Sequence, residues 1–470
     1  MLVQKAARLL IGIRRVALLV AAVETRLYKE LRLRVARARE AITISRRTYM
    51  RLPKLLAGLA VASVALAACG TSGGTSQTIK GTIKIGIDLP VSGSDASDGQ
   101  PTQNGAKLAI KLAGKVCGAS SHSDACFTLA SFPLDDAVNG AHDPGQGAKN
   151  VQQFVADSAV LGMVGPFNSS VARAEMPIGN TAGLAMISPA NTNECLTQEP
   201  PDGHCAGQAA KLRPKGGNNY FRVCTTDLIQ GPAAADYAYN KLGKKKVYVF
   251  NDQQTYGLGI AKNFAAQFAK DGGTVLNSDL GGFDPGSTND FKNQINRAKS
   301  LGADVVFFGG TTATKGGQIR KQMLGLLDVP YVAGDGISGN QFAKDAGDNA
   351  ANSYFTVAGP YPQALPTAQK FNADYKKEYS QDVGAYSAQA YDAASIIIAA
   401  LGRAIDDAGG NMPTRDQVTA QVAKTQNYKG VIGTTSFDAN GDTSLKIITI
   451  YKWASATDTG GTFVDQVTVS

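Results

Sequence analysis

The chain has 470 residues, of which 18% are charged and 43% hydrophobic, with a formal net charge of +9. That charge is unevenly placed: residues 1–54 hold 14 of the 47 Lys/Arg and three of the 38 Asp/Glu, leaving 33 basic and 35 acidic residues from Cys69 onward. A near-neutral body gives no footing for nucleic acid, and the roughly 390 residues after position 77 exceed one hydrophobic core, so two lobes are expected.

The first elements in chain order concern export. Residues 1–49 alternate Leu, Ile and Val with Arg and read as an upstream extension ahead of a start at Met50; the alternative is a basic amphipathic membrane helix. From Met50 a short basic stretch with Arg51 and Lys54 leads into the apolar run 55–66, short of the ~20 residues that span a bilayer. The run ends in Leu66-Ala67-Ala68-Cys69-Gly70, which resembles the lipobox of bacterial lipoproteins. The resemblance implies a signal peptide over 50–68 and acyl chains on Cys69, anchoring the protein on the outer face of the cytoplasmic membrane. Residues 69–77, rich in Gly, Ser and Thr, read as a flexible tether.

The body alternates short β-branched runs with helical stretches. Strands are predicted over 82–88, 126–132, 160–164 and 184–187, with helices over 103–113, 146–156 and 170–181 between them. The loop 190–219 is too long for an ordinary connection and reads as an insertion. The rhythm resumes with strands over 247–250, 303–308 and 329–333, followed by helices over 367–379 and 385–407. A turn over 437–442 and a strand over 445–453 close the chain. This βαβα order predicts an α/β protein with doubly wound parallel sheets. Beyond Cys69, the pairs Cys117/Cys126 and Cys195/Cys205 each enclose a short loop and are candidate disulfides, while Cys224 reads as a buried free thiol.

Catalytic and metal motifs are absent from this pattern. The three histidines, His122, His142 and His204, lie in polar loops without a nucleophile elbow. Gly334-Asp335-Gly336-Ile337-Ser338-Gly339 spells GxGxxG, but late in the chain and without a strand-ending acid about 20 residues on, so it reads as a tight strand-to-helix loop. Asp438, Asn440 and Asp442 imitate the start of a calcium loop whose twelfth position is Thr449 rather than Glu, and read as a hairpin turn. No enzyme, cofactor or metal is expected.

Polar residues at strand C-terminal ends are the candidate ligand site. Ser169 at a helix start and Thr192 after a strand suit a carboxylate, Asp335 among glycines suits an ammonium group, and Tyr256 suits an aromatic lid.

Several segments together resemble the branched-chain amino-acid substrate-binding proteins of ABC importers. They include Ile85-Gly86-Ile87-Asp88-Leu89-Pro90-Val91-Ser92-Gly93, Leu134-Asp135-Asp136, Ile187-Ser188-Pro189, Tyr220-Phe221-Arg222 with Gln230-Gly231, Asn251-Asp252 with Tyr256-Gly257, and Tyr391-Asp392-Ala393. The resemblance implies the type I periplasmic-binding-protein fold, two lobes joined by three hinge crossings near 223–226, 353–357 and 431–433. Lobe one is then 78–223 with 358–432, and lobe two 224–357 with 433–470. It further implies that Ser169 and Thr192, with backbone N–H near Asn191, grip the carboxylate, and that Asp335 pairs with the ammonium. The expected protein is a monomeric extracytoplasmic lipoprotein that hands an amino-acid-like solute to a membrane permease; the alternative is a ligand-sensing module of the same fold. Asp98 stands where leucine-type relatives place an aromatic residue, which suggests a ligand side chain that is polar or cationic. Thr311 and Thr312 likewise replace a tyrosine, and the relatives' paired cysteines fall on Val138 and Asn168.

Overall fold

The computed structural model describes residues 77–201 and 203–469, so the extension, the signal, nearly all of the tether and Cys69 lie outside the described residues. Among the described residues no helix is long and apolar enough to cross a membrane.

The first sheet has strand order β2-β3-β1-β6-β7-β8. Its members are β1 (Thr78–Leu89), β2 (Lys115–Cys117), β3 (Ala125–Asp135), β6 (Val160–Val164), β7 (Ala185–Ser188) and β8 (Tyr220–Arg222); the two-residue strands β4 (Ala137–Val138) and β5 (Ala141–His142) form a separate hairpin. The second sheet runs β10-β9-β11-β12-β13-β16-β17. It comprises β9 (Lys246–Asn251), β10 (Thr274–Val275), β11 (Val305–Gly309), β12 (Tyr331–Ala333), β13 (Ser353–Val357), β16 (Ile447–Trp453) and β17 (Thr462–Thr468). The hairpin β14 (Tyr428–Gly430) and β15 (Gly433–Thr435) stands apart.

Both sheets are mainly parallel but mixed, which corrects the purely parallel expectation. β2 runs antiparallel to β3, and β16 is antiparallel to both β13 and β17. For β2–β3 and β16–β17 the short connections force this, because parallel neighbours need a crossover of a dozen or more residues; β16 instead joins β13 on the chain's return from lobe one. The central strands are apolar on both faces because helices cover both sides. In β1, Ile83, Ile85, Ile87 and Leu89 are fully buried, and Gly86 lets the Phe154 ring lie directly on the strand, where a Cβ would come within 3.0 Å of it.

The chain crosses between lobes three times, after Arg222, after Val357 and before Ile447. The long helix Ser387–Asp407 returns to lobe one and buries Ile396, Ile397, Leu401 and Ile405 in its core. Each such side chain contributes about 1.5–3 kcal/mol by leaving water. The third crossing lies later than 431–433. Asp392 accepts the Val431 and Ile432 backbone N–H groups at 2.9 and 3.0 Å, and Phe437 packs 5.1 Å from Phe221, so the hairpin stays with lobe one. Cys117 is bonded to Cys126 and Cys195 to Cys205, while Cys224 is a buried thiol.

Candidate functional site

Loops that follow strand C-termini in the two sheets face one another across a small cavity of about 20 Å³. Phe167, Asn168 and Ser169 follow β6, and Ala190 and Thr192 follow β7. From the other lobe come Tyr256 after β9, Thr311 after β11, and Asp335 and Gly336 after β12.

The lobe-one wall presents hydrogen-bond donors and a helix N-terminus, chemistry that suits an anion. The helix Ser169–Thr181 begins there, and its N-cap Asn168 makes no side-chain capping bond. The first N–H groups of a helix lack intrahelical acceptors and carry the positive end of its dipole. Beside them the Thr192 hydroxyl is buried next to Asp227 without a well-formed hydrogen bond, and Ser169 Oγ accepts a long 3.5 Å bond from Asn193 N–H.

Asn191 lies between two residues that line the cavity and is itself bound within the loop. Its backbone N–H donates to Ser188 Oγ at 2.9 Å, its amide nitrogen donates to the Phe167 carbonyl at 2.5 Å, and its amide oxygen accepts from Tyr220 OH at 2.6 Å. These bonds make Asn191 a residue that holds the loop's shape, with its backbone N–H spent on Ser188.

The lobe-two wall carries acids. Asp335 is buried rather than open among its glycines; Tyr386 OH donates to its Oδ2, and the Tyr256 hydroxyl and Gln230 amide lie nearby. Burial pushes its carboxyl up, and those neutral donors oppose the shift. The Tyr256 hydroxyl also accepts the Gly336 N–H at 3.2 Å, so the ring is fixed over the cavity.

Asp227 opens the helix Asp227–Asp236 and was not anticipated from sequence. It is 0% exposed with neither carboxyl oxygen in a well-formed hydrogen bond, and it sits beside Thr192. Burial holds it well above the usual carboxylate range, and Glu194 and Asp335 add to this; Thr192 and Arg222 oppose it. An Asp in the first turn after Thr226 looks like ordinary helix-start chemistry, so only its burial marks it. A cation placed between Asp227 and Asp335 would relieve both.

Asp98 departs from expectation. Its carboxyl accepts a 2.6 Å bond from Ser338 Oγ and lies against the Gly339 N–H, so it spans the lobes beside the cavity instead of lining it. Cys195, His204 and Cys205 lie together, but both sulfurs are spent in the disulfide and His204 Nε2 meets Glu194 at 2.8 Å.

Two hinged α/β lobes with an anion-seeking wall opposite an acidic one define a solute-capturing binding protein. Residues 82–458 match the periplasmic binding protein family, and the chain belongs to it. That family is non-enzymatic. The chain is 30% identical over 407 residues to Leu/Ile/Val-binding protein homolog 1 of Brucella abortus, covering 86% of this chain and 98% of the relative. A leucine-binding protein from Thermotoga maritima superposes with a TM-score of 0.69 at 26% identity, over 82% of this chain and 99% of that one. The branched-chain amino-acid transporter substrate-binding protein of Streptococcus pneumoniae, solved with isoleucine, gives 0.65 at 26% identity, over 83% and 99%. This chain is a solute-binding protein of an ABC transporter, working outside the cytoplasm.

Proposed function

We propose that the protein captures a free α-amino acid of the leucine/isoleucine type or a close analogue and delivers it to an ABC permease from a lipid anchor at Cys69. The opposition of the two walls carries this reading. Ser169, Thr192 and the helix amides take the carboxylate, Asp335 with Asp227 takes the ammonium, and Tyr256 closes over the solute. The binding of isoleucine by the Streptococcus pneumoniae relative supports the solute class. A thermal-shift series with leucine, isoleucine, valine, glutamine and arginine tests it, since a ligand at a hundred times its Kd adds about 2.7 kcal/mol of stability. Stabilisation by none of the five would reject the assignment. The anchor is tested separately: Cys69→Ser should move the protein from the membrane to the soluble fraction, and continued membrane retention would reject it.

A further inference from the structure

Lobe two meets the loop that carries Thr192 along one stripe of one helix. In the helix Thr255–Lys270, Tyr256, Ile260, Phe264 and Phe268 recur at every fourth residue and pack into the lobe-two core, with Tyr256 also reaching the cavity. Beside them, on the same spacing, run Thr255, Gly259 and Asn263, a small and polar stripe that is only half-buried. Lobe one lies against it. Asn193 Nδ2 donates to the Thr255 carbonyl at 3.1 Å, and Glu194 Oε1 accepts from Asn263 Nδ2 at 2.9 Å. Gly259 sits between these two bonds, where a Cβ would overlap the Asn193 amide nitrogen and come within 3.8 Å of Asp227 Oδ2. Gly257 differs: a Cβ there would strike Asp252 Oδ1 and the Gly309 carbonyl, both of lobe two, so it serves that lobe's own packing.

We propose that Gly259 is a positioning residue for solute capture: its missing side chain is the seat into which the loop carrying Thr192 settles as the lobes come together, and a side chain there holds them apart. The inference rests on capture between two lobes, and not on which solute is captured. Two observations carry it. The loop cannot step back from the helix, because Arg222 Nη1 holds the Asn193 carbonyl at 2.9 Å, His204 also holds Glu194 Oε1, and Cys195 is bonded to Cys205. A side chain at 259 is therefore met either by the Asn193 amide turning aside, with loss of its bond to Thr255, or by the lobes staying apart. The second observation is the cost of the glycine itself. In a helix interior only proline is poorer, so lobe two alone would be better served by almost any other residue at 259. The contact with lobe one is what requires the glycine.

Gly259→Gln in the full-length protein tests this by thermal unfolding, small-angle X-ray scattering and calorimetry with isoleucine. Without ligand, its melting temperature should equal or exceed that of the wild type, while its radius of gyration is larger. The Kd for isoleucine should rise by about 5- to 150-fold, the range that overpacking a close contact gives. Gly259→Ala should act in the same direction but more mildly, and it serves should the Gln variant fail to fold. Adding Asn193→Gly to Gly259→Ala removes the amide that the new methyl meets, and should return the Kd to that of Asn193→Gly alone. That recovery separates a steric seat from an effect on the neighbouring Asp227. A fall in ligand-free melting temperature that matches the loss of affinity would make Gly259 an ordinary packing residue and overturn the proposal. So would an unchanged radius, or a pair that shows no recovery. Failure of isoleucine to bind the wild type would reject the solute assignment instead, and the ligand-free radius would still decide this point.

Discussion

Arg222 Nε donates to Asp442 Oδ1 at 2.6 Å across 220 residues of sequence, and the same guanidinium clasps the loop that forms the anion-seeking wall. Its Nη1 donates to the Asn191 and Asn193 carbonyls at 3.0 and 2.9 Å, and Nη2 donates to Thr197 Oγ1. Asp442 is further held by Thr197 Oγ1 and Gln198 Nε2 at 3.0 and 2.9 Å. The turn that imitates a calcium loop is thus the anchor for this arginine, and Arg222 fixes Thr192 without touching the cavity.

Arg222→Met would strand Asp442 among groups arranged for a cation. Removing one partner of a buried pair costs about 3–5 kcal/mol, and urea denaturation should read a loss of that size. A loss below about 1 kcal/mol would show that the pair is not the loop's main restraint.

Asp227→Asn separates stability from binding. An unpartnered buried carboxyl strains the fold, so removing its ionisable charge should leave stability at pH 7 unchanged or raised. Affinity for leucine or isoleucine should nevertheless fall by about 2–5 kcal/mol, as when one side of a buried charge pair is lost. Calorimetry paired with denaturation checks both halves; unchanged affinity would remove Asp227 from the ammonium grip.

The lobes were legible because fully buried strands read as β-branched runs spaced by amphipathic helices, as at 160–164 and 303–308. The position of Ser169 was legible because a strand end followed by a helix start puts it at the cavity wall. The contact of Asp98 with Ser338 was not legible, because it depends on how the helix Ala96–Ala113 meets a loop about 240 residues away. That the Asn191 backbone N–H turns to Ser188 Oγ while its amide ties Phe167 to Tyr220 is recorded by no local pattern. Asp227 was missed because its burial depends on helix packing in lobe two, while its local sequence is that of any helix start.

A second acid group lies behind the lobe-one wall. Asp88, Asp136 and Glu175 are fully buried, and Asp88 Oδ2 and both oxygens of Asp136 and of Glu175 lack well-formed partners. Burial raises all three, with Asp88 pushed up to about 6. Groups raised above their unfolded values stabilise the fold when protonated, so stability should decline as pH rises from about 4 through 6 and beyond. Glu175→Gln removes one such group and should shrink the drop in stability between pH 4.5 and 7.5, measured by urea denaturation. An identical drop in both proteins would mean that Glu175 takes no part in it.

Tyr386 tests how Asp335 is kept ready for a cation. Its hydroxyl donates to Asp335 Oδ2 and accepts the Ala358 N–H at 3.1 Å, so it links the acid to the second crossing. Its ring packs edge-on against Phe167 at 5.6 Å, a contact that Tyr386→Phe retains. Losing that donor should raise Asp335 further, because it removes one of the neutral groups that oppose the effect of burial. Less of the acid is then ionised at neutral pH, and the ammonium grip weakens. A hydrogen bond to a charged group is worth about 1.5–3 kcal/mol, so leucine affinity should fall by up to that amount at pH 7. Raising the pH to 8.5 restores the ionised form and should recover part of the loss. Calorimetry at the two pH values decides: an equal deficit at both would reduce Tyr386 to a packing residue, and no deficit at either would detach it from the site.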